Sequence, residues 1–408
     1  MTDARRTTRR QRLGVAILAA GVVGGAFGAG FLALLHLLTT LLVTVTRDGW
    51  VRVLMLTATG AAVTLVTRWF GPAGSVELLV DNIHVHGGHH ALRPLRSLVP
   101  SSLACIAVGG TLGPEAPLVE SDGTLAAWMA VQLGLDRSDR RVVTIAGMAS
   151  AFAVLFGAPL GAAVFALELP HRRGMEYSEA ILPACVGALL GWTADALLRT
   201  HGWQPVWTFA PVGHLAATAV AWGALAGAVG AAIGVLFTFG VKWAKLCVSV
   251  VPEALRPMLG GLLLGLLSLV TIDALTNGEG GYVRLAGLAS GAVLVAALGK
   301  FLGALVATVT GWKGGFIIPL FFIGGAVGLV LSRWFGVSAV LLVPGCMAAA
   351  NAAVTRTPLG SALTIAEMAG LPTLPPVFAA SIVSTVLTDG VRFFTSQTAR
   401  QPRHATAA

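Results

Sequence analysis

The chain has 408 residues, 56% of them hydrophobic and only 11% charged, with a mean hydropathy of +0.82. A soluble domain carries about 25% charged residues, so much of this chain faces something other than water, and a set of soluble domains is excluded. The formal net charge of +9 comes largely from basic flanks; no basic stretch is interleaved with exposed aromatics, so nucleic acid is not an expected partner.

Residues 1–12 carry five arginines and read as a cytoplasmic basic tail, because arginines beside a first span favour the cytoplasmic side. The apolar run behind them is too long for a signal peptide. From Gly14 to Thr46 the one basic or acidic residue is His36, and about 20 residues suffice for a helix to cross hydrocarbon. Comparable apolar runs recur at 51–67, 142–167, 213–241, 257–272, 286–299, 314–332 and 334–355. The pattern predicts one polytopic all-α bundle. The four cysteines, Cys105, Cys185, Cys247 and Cys346, have no CxxC spacing and read as small core residues.

After the second run comes Gly71-Pro-Ala-Gly-Ser-Val-Glu77. Ser75 is placed to cap a helix running from Glu77 towards His84, and its hydroxyl is equally able to donate to an anion. His84-Val-His86-Gly-Gly-His89-His90 has ligand-type spacing, but it lies in a polar Gly/Arg stretch without an acidic or Cys partner. A solvated loop is the expectation, and a metal site the alternative.

Gly109-Gly-Thr-Leu-Gly-Pro-Glu-Ala-Pro117 follows. An ionisable residue in an apolar setting is costly and marks function. Pro117 suits the start of a helix, and the free N–H groups of a helix start attract anions. A carboxylate at Glu115 can therefore occupy an anion's own site, and protonating it or swinging it away empties that site. The alternative is a glutamate that caps its own helix.

Ala158–Leu169 and Leu359–Met368 are apolar but too short to span, each led by a proline (Pro159, Pro358). Such half-spanning helices are tolerated where they line a protein cavity. The two align at a constant offset of 199, Ala158-Pro-Leu-Gly with Thr357-Pro-Leu-Gly, and the same offset pairs Met148-Ala149 with Met347-Ala348. Upstream of each lies a Gly-rich break ending in proline, at 109–117 and 311–319. Two halves of this kind point to a repeat transporter with its site between the halves, near the bilayer midplane. In the second break, Gly314-Gly315 permits irregular backbone, so the N–H groups of Phe316, Ile317 and Ile318 are candidates to face an anion; a plain Gly-Gly kink is the alternative. Glu168 and Glu367 end their short helices, where negative charge opposes the dipole, and they are expected to bond nearby backbone or to titrate. Beyond about residue 390 the chain turns polar, and no appended soluble domain is expected.

Together these residues resemble the CLC family of chloride channels and chloride/proton antiporters, over nearly the whole chain to about Phe394. Gly113-Pro-Glu-Ala-Pro117 is similar to the family's Gly-Lys/Arg-Glu-Gly-Pro motif, with Glu115 as gating glutamate. Gly314-Gly-Phe-Ile-Ile-Pro319 is similar to its Gly-Gly-Ile-Phe-Ala-Pro motif, whose backbone amides hold chloride. Gly74-Ser75 and the helix after it resemble its Gly-Ser-Gly-Ile-Pro-Glu motif. The resemblance implies an all-α integral membrane protein of two inverted-topology repeats with discontinuous and re-entrant helices. It implies a homodimer in the cell membrane, of a divergent bacterial type without cytoplasmic regulatory domains. The expected parts are a membrane domain at 13–395, with halves of about 13–200 and 213–395, and a C-terminal tail at 396–408. No cofactor and no metal is expected.

By this resemblance the anion-binding set is Ser75, Gly113, Pro114, Ala116, Phe316, Ile317, Ile318 and Phe394. Several positions depart from the family pattern. Pro114 and Ala116 stand where the family has a basic residue and glycine. Leu169 stands where the antiporters carry their internal proton-relay glutamate, leaving Glu168 next door as the relay candidate, about 100° away round the helix. The pore tyrosine has no counterpart, Phe393 or Phe394 being nearest. Phe316 and Ile318 replace the acidic residue and threonine of the fluoride-exporting branch, which favours chloride-like ions. The expected function is chloride or similar anion transport gated by Glu115, channel-like or weakly proton-coupled. The alternatives are a coupled chloride/proton antiporter and, remotely, a membrane metalloenzyme built on the histidine loop.

Overall fold

The computed structural model describes residues 3–43, 47–88, 90–171, 177–199, 206–210, 213, 215–279 and 282–397. Among them the first half runs through α1 (Asp3–Val43), α2 (Gly49–Phe70), α3 (Val76–His86), α4 (Leu95–Ala107), α5 (Glu115–Gln132), α6 (Arg137–Phe156), α7 (Pro159–Glu168) and α8 (Ile181–Arg199). The second half runs through α9 (Ala219–Val248), α10 (Arg256–Val270), α11 (Tyr282–Leu285), α12 (Ser290–Thr310), α13 (Ile317–Phe335), α14 (Ala339–Thr355), α15 (Pro358–Ala369) and α16 (Leu374–Leu387). Among the described residues, seven stretches are long and apolar enough to cross a membrane: Thr7–Val43, Gly49–Phe70, Ser178–Arg199, Ala219–Val248, Glu253–Val270, Ser290–Thr310 and Ile317–Phe335. The basic tail is not separate from the first span. It is helical from Asp3, and Arg9 forks onto Asp139 (2.6 and 2.7 Å) and reaches Asp136 (2.9 Å), pinning it to the start of α6.

The continuous run at 142–167 is two helices, divided where Gly157 takes a positive φ of 63° at the end of α6. The run at 334–355 likewise divides at Gly336, so α13 reaches Phe335 before α14 begins. Two of the four cysteines are also not core residues: Cys105 and Cys346 are buried, but Cys185 and Cys247 are exposed on α8 and α9.

One packing scheme appears twice. In the first half α5 packs on α6, α6 on α7 and α8, α1 on α6 and α8, and α2 on α4. In the second half α13 packs on α14, α14 on α15 and α16, α9 on α14 and α16, and α10 on α12. Small residues make the close crossings possible, as lipid-embedded helices require.

The halves join through α7 and α15. The Glu168 carboxylate accepts the N–H groups of Leu359 (3.2 Å) and Gly360 (2.7 Å) at the start of α15. The Glu367 carboxylate accepts those of Leu160 (3.2 Å) and Gly161 (2.6 Å) at the start of α7. Each helix thus carries, near its C-terminal end, the acceptor for the other's N-terminus. That arrangement requires the two to run antiparallel, so the equivalent elements are inverted. A charge that opposes its own helix dipole lies against the favourable end of its partner's. The crossing is tight: a Cβ at Gly161 would lie 2.3 Å from the Thr364 nitrogen, and one at Gly360 2.5 Å from the Phe165 Cα.

Hydrogen bonds to a charged group contribute about 1.5–3 kcal/mol, so Glu367→Ala, which strands two N–H groups, is expected to lower the melting temperature of the detergent-solubilised protein. Glu367→Gln should retain part of the loss. Identical melting of all three proteins would mean that the cap adds no stability.

Candidate functional site

The two Gly/Pro breaks meet through their backbones. Gly113 N–H donates to the Gly315 carbonyl (2.8 Å) and Gly315 N–H to the Gly113 carbonyl (2.7 Å), an isolated antiparallel bridge. Helices α5 and α13 begin two residues beyond it, at Glu115 and Ile317, and Pro117 and Pro319 sit at the third position of each. The bridge therefore sets the first turns of these two helices side by side.

Glu115 is 1% exposed. Its Oε1 accepts the Ile318 N–H at 2.9 Å, so the carboxylate of the first half lies on the free donors at the start of α13, rather than merely capping its own helix. Only glycines leave room for it. A Cβ on Gly113 would lie 2.1 Å from its Oε2, and one on Gly315 2.3 Å from its Cγ. An oxyanion fills the position that a helix start offers to an anion.

A cavity of about 270 Å³ opens beside this carboxylate, and Ser75, Ala116, Phe316, Ile317 and Phe394 line it with Glu115. Ile318 is fully buried behind it, and Gly113 and Pro114 supply the bridge and the N-terminal cap of α5. Ser75 caps α3 by accepting the Leu78 N–H at 3.1 Å, and its residue is also exposed to the cavity. Phe393 and Phe394 pack on Phe316, with ring centroids 4.6 and 5.8 Å away. Glu77 accepts both the backbone N–H (3.1 Å) and the hydroxyl (2.6 Å) of Thr395, which holds this C-terminal segment over the cavity. Leu169 lines the cavity too, whereas Glu168 points away to α15.

The histidine segment is not a loop up to its glycines. His84 and His86 occupy the last turn of α3, which ends at Gly87 in the left-handed conformation; His89 lies outside the described residues. His84 Nε2 lies 2.8 Å from the Pro170 carbonyl and its Nδ1 2.7 Å from the Tyr177 hydroxyl. A carbonyl only accepts, so Nε2 carries a proton, and in the neutral ring Nδ1 accepts from the tyrosine. Among the described residues no group of three or more His, Cys, Asp or Glu is placed to hold a metal.

Several charged residues escaped the sequence reading. Glu120, Lys245 and Lys313 line the cavity. Lys300 is fully buried, donates to the Leu275 and Thr276 carbonyls, and lies over the Phe322 ring. It fixes a segment whose Thr276 N–H reaches the Gly109 carbonyl at 2.8 Å, so it braces the first break. Its isolation in an apolar run was the available signal. For Glu120 the signal was an acidic residue one turn and a half into a helix begun by another.

Residues 59–389 match the family model described as voltage gated chloride channel. A chloride/fluoride channel protein of Pseudomonas syringae pv. tomato is 29% identical over 364 residues, covering 84% of this chain and 76% of the relative. A putative ClcB-like chloride channel protein of Ralstonia nicotianae is 29% identical over 354 residues, 78% of each chain. Among solved structures, a CLC-type fluoride/proton antiporter superposes with a TM-score of 0.83 at 23% identity, covering 98% of this chain and 99% of its own. A slow cyanobacterial chloride/proton antiporter gives 0.80 at 21%, covering 93% and 96%. The chain belongs to the CLC family of voltage-gated chloride channels. It is a multi-pass membrane protein of an anion-transporting family whose members are channels and transporters, not enzymes, which removes the metalloenzyme reading.

Gly315→Ala puts a methyl group where the Glu115 side chain lies. The expected outcome is a solved variant structure in which the carboxylate has left the Ile318 N–H. A variant with that hydrogen bond intact at about 2.9 Å would mean that the glycine is not what makes room for Glu115.

Proposed function

We propose that this protein conducts chloride, or an anion like it, through a site built from helix N-termini and gated by Glu115, in a channel-like or weakly proton-coupled manner. The observation that carries the reading is the Glu115 carboxylate seated on the Ile318 N–H beside a cavity lined by Ser75, Phe316, Ile317 and Phe394. An anion that loses its water needs donors in exchange, and backbone N–H groups supply partial charges that hold an ion without trapping it. While Glu115 is ionised it occupies those donors and repels a second anion. Protonation weakens its hold and removes the repulsion, so acid opens the path. Chloride is favoured over fluoride because Phe316 and Ile318 bring apolar side chains to the site.

The second reading, coupled exchange with Glu168 as relay, has less support. The Glu168 carboxylate is engaged by Leu359 and Gly360, and the cavity wall beside it is Leu169. The setting we infer is a homodimer in the cell membrane, with the N-terminus cytoplasmic beside its arginines and the membrane domain at 13–395. Leucines 182, 189 and 197 of α8, all more than half exposed, offer an apolar face for a second subunit or lipid.

In liposomes, chloride efflux through the unaltered protein should rise as pH falls, and Glu115→Gln should be fast and lose most of that dependence on pH. A mutant with the wild-type pH profile would put the gate elsewhere. Chloride and proton fluxes recorded together from one sample should show little or no proton movement per chloride; a fixed stoichiometric ratio would favour the exchanger. Chloride should also leave the vesicles faster than fluoride.

A further inference from the structure

Glu120 lies on α5 five residues beyond Glu115, about 7.5 Å along the axis, and both line the same cavity. Its side chain is fully buried, and neither carboxylate oxygen has a hydrogen-bond partner among the described residues. Such a group is costly and needs an explanation. The site around it is built to admit the carboxyl: a Cβ on Gly74 would lie 2.5 Å from Glu120 Oε1, so the residue before Ser75 is one that makes way. The other charged groups on the cavity wall are Glu77 at the start of α3, Lys245 on α9, Lys313 in the second break and Glu115 itself. Glu77 is taken up by Thr395, and no ion pair joins either lysine to Glu120 among the described residues.

Resting on the anion-path reading above, we propose that Glu120 is a second proton-binding residue of the cavity, and that an anion enters beside it when it carries a proton. An ionised Glu120 with no cation against it repels an anion across a cavity this small, where interactions are weakly screened. Protonated, it is neutral and offers an O–H donor to the entering ion. Proton and anion then occupy the cavity together, although Leu169 occupies the relay position. Two carboxyls, Glu115 and Glu120, titrate along one path, so anion flux depends on pH more steeply than one group allows.

The test uses the full chain in liposomes. Chloride efflux is recorded from pH 4 to 9, with Glu120→Gln compared with the unaltered protein and with Glu115→Gln. Glu120→Gln keeps the shape of the side chain and a donor. It is expected to raise efflux at the alkaline end about tenfold, the scale of a removed like charge, and to leave a shallower, single-group profile that still depends on Glu115. Glu120→Asp should keep the steep profile. An unchanged profile in Glu120→Gln, with Glu115→Gln insensitive to pH, overturns the proposal alone. An unchanged profile in Glu115→Gln overturns the gating reading beneath it.

Discussion

A helix that starts inside hydrocarbon exposes backbone donors that water cannot reach, and each must find an acceptor within the protein. At the starts of α7, α13 and α15 this fold supplies the acceptors from across the boundary between its halves. Glu168 and Glu367 serve α15 and α7, and Glu115 serves α13. Two of these acceptors are fixed by a second hydrogen bond from the same helix start. The third lies beside a cavity.

Glycine placement follows from the same need. The Gly113–Gly315 bridge brings two chain breaks into contact without side chains between them. The offset that relates the breaks, Gly113 to Gly315, is 202 residues, whereas the short helices are related by 199. The halves have kept the geometry of the meeting points while changing length between them, in the first turns of α6, which has 20 residues against the 17 of α14.

The sequence made the repeat legible because Pro-Leu-Gly and the Gly/Pro breaks each have a local cause: a helix start that needs no N–H and a backbone that needs no Cβ. It also showed Glu115 as costly in an apolar run. What it hid were relations between distant residues. That Glu168 reaches Gly360, or that Glu115 lies on Ile318 of the other half, depends on how two halves face each other, and no local pattern encodes that. The division of 142–167 at Gly157 was missed because hydropathy is blind to a turn made of apolar residues. The last turn of α3 was mistaken for loop because histidines are polar, yet His84 spends both ring nitrogens on Tyr177 and Pro170.

The exchange of carboxylates between α7 and α15 also sets an order on the birth of the molecule. Residues 160 and 161 emerge from the ribosome about two hundred residues before Glu367. Until then α7 has two bare donors in the membrane, and Glu168 has no helix to receive it. While it is alone, the first half lacks the acceptor for its short helix. The two caps can therefore form only when the second half meets the first.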